Sequence, residues 1–235
     1  MSASLLATAA PGDGNSETPW LQRDNPGAED SLQSSTEAGL KAAPESFEVL
    51  WRAARVKQWL ADGEKDKARK MQLGKDAWAL GEKAIKANPN AVEGYYFAAL
   101  GIGAYSQGAG ILRALGEGLE SKFNDRLDRA IKLDPAYRAA GALVAKGRYW
   151  FELPWPKRSI GRSIETLERA IAAHPENLRA YVYLAESQLK DGKAKLAEAT
   201  LQKAVRGDVS YDPPEGRRAK LMAATVEPQI QKELK

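Results

Sequence analysis

From Pro44 to Val205 apolar side chains return every three or four residues, and no stretch alternates apolar with polar as a strand does. ESFEVLWRAARVKQWLADG (residues 45–63) sets the pattern. Phe47, Leu50, Trp51, Ala54 and Val56 fall near the 3.6-residue period, and Asp62-Gly63 stops it. Ala, Leu, Lys, Glu and Arg dominate the chain from there to Val205, residues that lose little freedom in a helix. The pattern predicts an all-α chain. Residues 1–44, rich in Ser, Gly, Pro, Asp and Glu, lack either period and read as an extended, disordered leader. After the break YDPPEG (211–216), residues 217–235 read as a last amphipathic helix. Leu221, Met222, Thr225 and Val226 are the expected apolar side, capping the helical body of residues 45–209.

The helices repeat. Ala84-Ile85, Ala130-Ile131, Ala170-Ile171 and Ala204-Val205 each close an amphipathic segment, and Pro89, Pro135 and Pro175 follow the first three at one offset. A small Ala lets two helices approach, its β-branched neighbour fills the groove beside it, and proline ends one helix and opens the next. The pairs lie 46, 40 and 34 residues apart. A helix–turn–helix unit of about 34 residues is the tetratricopeptide period.

AYVYLAESQLKDGKAKLAEATLQKAV (180–205) resembles one complete tetratricopeptide repeat. Tyr181, Leu184 and Ala185 stand at its first-helix positions, Gln188 replaces the usual Tyr, and Asp191-Gly192 makes the turn. Ala197, Leu201 and Ala204 pack the second helix back, and Val209 stands where the closing Pro is usual. Earlier units carry insertions, GAYSQGAGILRALGEGLES (103–121) and RYWFELPWPKRS (148–159). With LWRAAR (50–55) and GYYFAALGIGAY (94–105), these resemble a divergent family. It includes the T component of bacterial TRAP transporters and the regulator of microtubule dynamics proteins. The resemblance spans residues 46–207. It implies an α-solenoid of about four helix pairs that works by binding: a periplasmic accessory protein that docks a substrate-binding or envelope partner and holds a small, partly apolar ligand. The alternative is a scaffold holding a partner's peptide in its concave groove, in an envelope or cytoplasmic complex. A homo-oligomer is compatible with either.

Composition narrows the chemistry. With 43% hydrophobic residues the 235-residue chain can build a real core. Residues 1–45 carry seven acids against two bases, a net of −5, so the remainder carries +9 of the overall +4. No run of five like charges and no basic patch interleaved with aromatics points to nucleic acid. No apolar run approaches the roughly 20 residues that span a bilayer. Without cysteine there is no disulfide, thiolate chemistry or Cys-based zinc site. Ala7-Thr8-Ala9 has the small-x-small form of a secretory cleavage site, but no basic stretch precedes it. It reads either as a signal-peptide remnant, which favours export, or as a plain tail.

The lone histidine, His174, stands where sister repeats have Asn88 and Asp134, so it reads as a turn residue. With no second His or Cys, neither a metal site nor a nucleophile–base pair can be assembled around it. The glycines of 101–118 lack the phosphate-loop pattern and suit tight helix packing. Asp125 and Asp128, beside Arg126 and Arg129, suit a salt-bridged face. No catalytic residue, metal or cofactor is expected. Aromatics form the candidate recognition set: Tyr95, Tyr96, Tyr149, Trp150 and Trp155 either plug space beside the insertions or line a ligand pocket, with Lys157 and Arg158 at its rim. Arg52 and Arg55 share a face, for pairing with acids or holding an anion. By the tetratricopeptide resemblance, Arg179, Val182, Glu186 and Lys190 face the partner groove.

Overall fold

The computed structural model describes residues 17–235, and every element among them is helical. Four hairpins stack in chain order. The first pairs α3 (Phe47–Gly63) with α4 (Lys67–Ala87), after the short α1 (Glu17–Leu21) and α2 (Ala28–Ala42). The second pairs α5 (Val92–Ala109) with α7 (Leu119–Leu133), and α6 (Ile111–Gly116) is inserted between them. The third joins α8 (Tyr137–Glu152) to α9 (Ile160–Ala173), the fourth α10 (Leu178–Lys190) to α11 (Ala194–Arg206), and α12 (Pro213–Glu233) closes the array. Each helix packs on its chain neighbours, and α3, α5, α8 and α10 pack on one another in turn. That is the geometry of an all-α solenoid.

The repeat punctuation does what its chemistry requires. Ala84, Ala130, Ala170 and Ala204 are completely buried where second helices meet first ones. Asn88, Asp134 and His174 occupy the same C-cap, each donating its backbone N–H to the alanine carbonyl four residues back. The Oδ1 atoms of Asn88 and Asp134 then accept the backbone N–H two residues on, and His174 Nδ1 lies 2.9 Å from Glu176 Oε1. Polar side chains satisfy the turn.

The first insertion is absorbed by a longer α5 and by α6, the second by a longer α8 and the loop 153–159. Glycines decide how closely α4 and α5 approach. Gly74 and Gly81 on α4 and Gly94, Gly101 and Gly108 on α5 recur every seven residues. A Cβ at Gly101 would stand 2.3 Å from Trp78 N, and one at Gly74 2.3 Å from Tyr105 N. The backbones touch along a seam that admits no side chain. At the start of α8, Arg138, Ala139 and Ala140 are left-handed, with φ of 52°, 51° and 58°. That conformation costs an L residue roughly 1–2 kcal/mol. Asn177 Nδ2, donating to Ala139 O at 2.8 Å, and the Arg138–Asp212 ion pair at 2.7 Å hold it.

Two expectations are corrected. Within the leader assigned to 1–44, residues 17–42 contain α1 and α2, and Trp20 and Leu32 join Val56, Trp59 and Leu60 in one apolar cluster. So few apolar positions leave little period in the sequence, and it is packing against α3 that holds these helices. The Ala7-Thr8-Ala9 site lies outside the described residues. The capping helix exists, but its buried face is Ala219, Ala223, Val226 and Ile230, while Leu221 is 71% exposed. Among the described residues no helix is long and apolar enough to cross a membrane.

Candidate functional site: the concave face

The first helix of each hairpin turns the same side inward, and together they wall a cavity of about 220 Å³. One end is apolar: Phe97, Ile102 and Gly103 of α5, Ile111 and Leu115 of α6, Leu119 and Phe123 of α7, and Val144 and Tyr149 of α8. Here α6 acts as a wall, because Ala114 is buried inward while Leu112 points out at 72% exposure. Tyr149 packs at a tilt against Phe123 with centroids 5.4 Å apart and donates its hydroxyl to Glu120 Oε1 at 2.7 Å. Tyr96 packs edge-on against Phe97 and Tyr137. Its hydroxyl fills the place where a side chain on Gly141 would sit, 2.4 Å from an added Cβ. Burial pushes the Tyr96 phenol up to about 12, so it remains neutral.

The other end is charged and internally matched. Arg179 grips Asp62 through Nη1 at 3.0 Å and Nη2 at 2.7 Å, and through Nε meets Glu215 at 2.5 Å. Arg218 adds a bond to Asp62 at 3.1 Å and lies against the Trp59 ring, 3.1 Å from its centroid. Burial works against the Asp62 charge, yet the Arg179 and Arg218 guanidiniums outweigh it and hold the carboxyl well below its usual range. Asp212 receives Arg23 at 2.5 Å and Arg138 at 2.7 Å. Arg148 bridges Glu152 and Glu186, each at 2.6 Å, and stacks between Phe151 and Tyr183.

The expected site residues divide accordingly. Tyr96 and Tyr149 line the cavity; Tyr95, Trp150 and Trp155 do not. Tyr95 donates its hydroxyl to Pro89 O at 3.2 Å, and Trp150 lies under Arg162. Trp155, in the loop after α8, stands 87% exposed. Lys157 reaches back to Glu120, and Arg158 Nε donates to Leu153 O. Of the expected groove residues only Arg179 lines the cavity. Val182 is fully buried against α11 and α12, Glu186 is engaged by Arg148, and Lys190 is exposed at the end of α10. Inward positions on α10 therefore run Arg179, Tyr183, four apart, a helical step that the sequence itself contained. Arg52 pairs with Glu48 at 3.0 Å, and buried Arg55 packs against the Trp20 and Trp51 rings. Asp62, Asp212 and Glu215 carry no motif, and only folding brings them to Arg179 and Arg138.

A solved structure agrees with this architecture. TTC0263, a thermophilic TPR protein of Thermus thermophilus, is similar over 89% of this chain and 97% of its own, with TM-score 0.66 and 21% identity. MamA matches over 85% of this chain and 95% of its own, with TM-score 0.48 and 20% identity. No curated protein matches this sequence. The family model for regulator of microtubule dynamics protein 1-3 matches residues 22–223. That span covers all four hairpins and the wall of the cavity, and the chain belongs to the regulator of microtubule dynamics protein 1-3 family.

Proposed function

We propose that this chain is a non-enzymatic binding scaffold that engages a protein partner and holds a small, partly apolar guest on its concave face. A tetratricopeptide-like fold is a protein-interaction scaffold, and that part follows from the architecture. The guest rests on one observation: behind α6, the concave cavity of about 220 Å³ has an aromatic and aliphatic end, while its other end is lined by ion pairs that already satisfy one another. Several waters would fit, at about 30 Å³ each, but the apolar end offers them few partners. Apolar surface moved there from water gains about 25 cal/mol per Å². A strongly charged guest would have to break existing pairs. Export, and docking on a transporter's substrate-binding partner, are the part of this proposal supported by the likeness of the insertions alone.

Native mass spectrometry of purified protein tests the guest. A bound small molecule is expected, released on denaturation. Gly103→Phe should abolish capture with helicity unchanged, since Gly103 lines the cavity and an added Cβ meets only Phe123 Cε2, at 3.5 Å. No added mass on the natural protein, or capture that survives the bulky residue, sinks the assignment.

A further inference from the structure

The polar end of the concave face is occupied by the chain itself. Trp20-Leu21-Gln22-Arg23-Asp24 lies across it, from α3 on one side to α12 on the other. Trp20 is buried edge-on against Trp59, with centroids 6.2 Å apart. The Arg23 guanidinium lies against both rings, 4.1 and 4.3 Å from their centroids, and meets Asp212 at 2.5 Å. Asp24 receives Arg217 of α12 at two points, 2.5 and 2.9 Å. Leu21 between them is 54% exposed. An aromatic, a guanidinium three residues on and a carboxylate next to it thus make the attachment, each in its own complementary seat.

Three features make this attachment exchangeable. First, α1 is a helix of only five residues, with Trp20 on it and Arg23 and Asp24 just beyond its end. Asn25-Pro26-Gly27 follows, with Gly27 at φ +77°, and α2 has its own apolar anchor, Leu32, in the cluster that Trp20 joins. Second, holding Arg23 is costly. Burial brings its guanidinium down to about 10 against the opposing pull of Asp212. Third, the seat is satisfied without it: Asp212 keeps Arg138 at 2.7 Å, and Trp59 keeps Arg218 on its ring. Leaving therefore keeps Asp212 paired, and buried Arg55, which gives up the Trp20 ring, keeps that of Trp51.

We propose that this seat, built from Trp59, Asp212 and Arg217, recognises a partner-protein segment of aromatic-x-x-Arg-Asp chemistry, which docks by displacing Trp20–Asp24. This deepens the binding-scaffold reading and rests on it, but it is independent of any guest at the apolar end. The charge on both sides commits the occupant. The seat offers one carboxylate-facing guanidinium, Arg217, and one guanidinium-facing carboxylate, Asp212, so an anion-only or apolar-only segment leaves part of it unmatched.

The test uses the full chain and a labelled peptide ETPWLQRDN, copied from residues 17–25, followed by fluorescence anisotropy. Trp20→Ala with Arg23→Ala vacates the seat, and this variant should bind the peptide at least tenfold more tightly than the natural protein. Adding Asp212→Asn should remove that gain, as should replacing the peptide's arginine by alanine. Should the double variant misfold by circular dichroism, Asp24→Lys, which touches only the half-exposed Arg217 pair, is the substitute and should also raise binding. A folded variant that ignores the peptide, or binds it equally without its arginine, overturns the proposal. A dimer of the natural protein dissociated by the peptide makes a second copy the occupant and overturns the partner assignment. Peptide binding that persists in Gly103→Phe, when guest capture is lost, supports the seat as a separate site.

Discussion

At the residue scale, meaning comes from what each side chain meets. His174 shows this: as the only histidine it invites a catalytic reading, yet it holds the C-cap that Asn88 and Asp134 hold in sister repeats. Asp62 is the reverse, an unremarkable letter at the end of a predicted helix that becomes the anion for Arg179 and Arg218. Its pH behaviour has a definite sign. A carboxyl depressed in the folded state stabilises the fold above its unfolded value of about 3.9. That contribution is lost as pH falls through the lower folded value. Asp62→Asn should therefore cost about 2 kcal/mol at pH 7, in line with loss of hydrogen bonds to charged groups. The gap from the natural protein should narrow progressively below pH 4. Thermal melts across pH 2–8 measure both, and a gap that stays constant would remove Asp62 from the network's centre.

At the element scale, the α4–α5 hairpin depends on what is missing. Glycine inside a helix usually loses about 1 kcal/mol to alanine, so Gly→Ala should stabilise an ordinary helix. At Gly101 the sign reverses, because the new methyl would press on the Trp78 backbone at 2.3 Å and backbone cannot step aside. Gly101→Ala should lower stability by about 2–3 kcal/mol through overpacking. Gly116→Ala, with nothing within 4 Å, should leave it unchanged or slightly raised. Urea denaturation of the two variants separates them; equal stability would mean the helices can part without cost. The same seam explains how the long α5 remains packed while its other side serves the cavity.

At the scale of the whole molecule, the ends close the array. The acidic leader meets the basic body at α12 through Asp24–Arg217 and at α4 through Glu29–Arg69, so the lopsided charge of the sequence becomes contact between its segments. α12 covers Val182, Ala185, Ala197 and Leu201, the face an uncapped repeat would expose. Ile230→Ser should cost about 3 kcal/mol or more and promote aggregation, as large-to-small core changes do. Leu221→Ser should stay within about 0.5 kcal/mol, because its side chain is largely in water. Melting temperature and light scattering check the pair, and a severe loss at Leu221 would mean that α12 packs by another face.

Helical period, Ala-Ile-x-x-x-Pro punctuation and the turn role of His174 are local properties, carried by residues within one or two turns of each other. The all-α class and a stack of about four hairpins were therefore legible in the sequence. Which aromatics face inward was beyond it, since Tyr95 and Tyr96 are adjacent letters yet only the second lines the cavity. Of the groove residues drawn from a generic repeat, Arg179 lines the cavity, while α12 covers Val182 and Arg148 engages Glu186; no generic repeat supplies Asp62 or Glu215 opposite Arg179. Those partners are 117 and 36 residues away in the chain. That α1 and α2 fold, that α6 becomes a wall, and that the chain's own Trp20 and Arg23 fill the polar end all depend on contacts between distant segments. Burial and ion pairing at such separations are settled by which surfaces meet, and no local pattern encodes that.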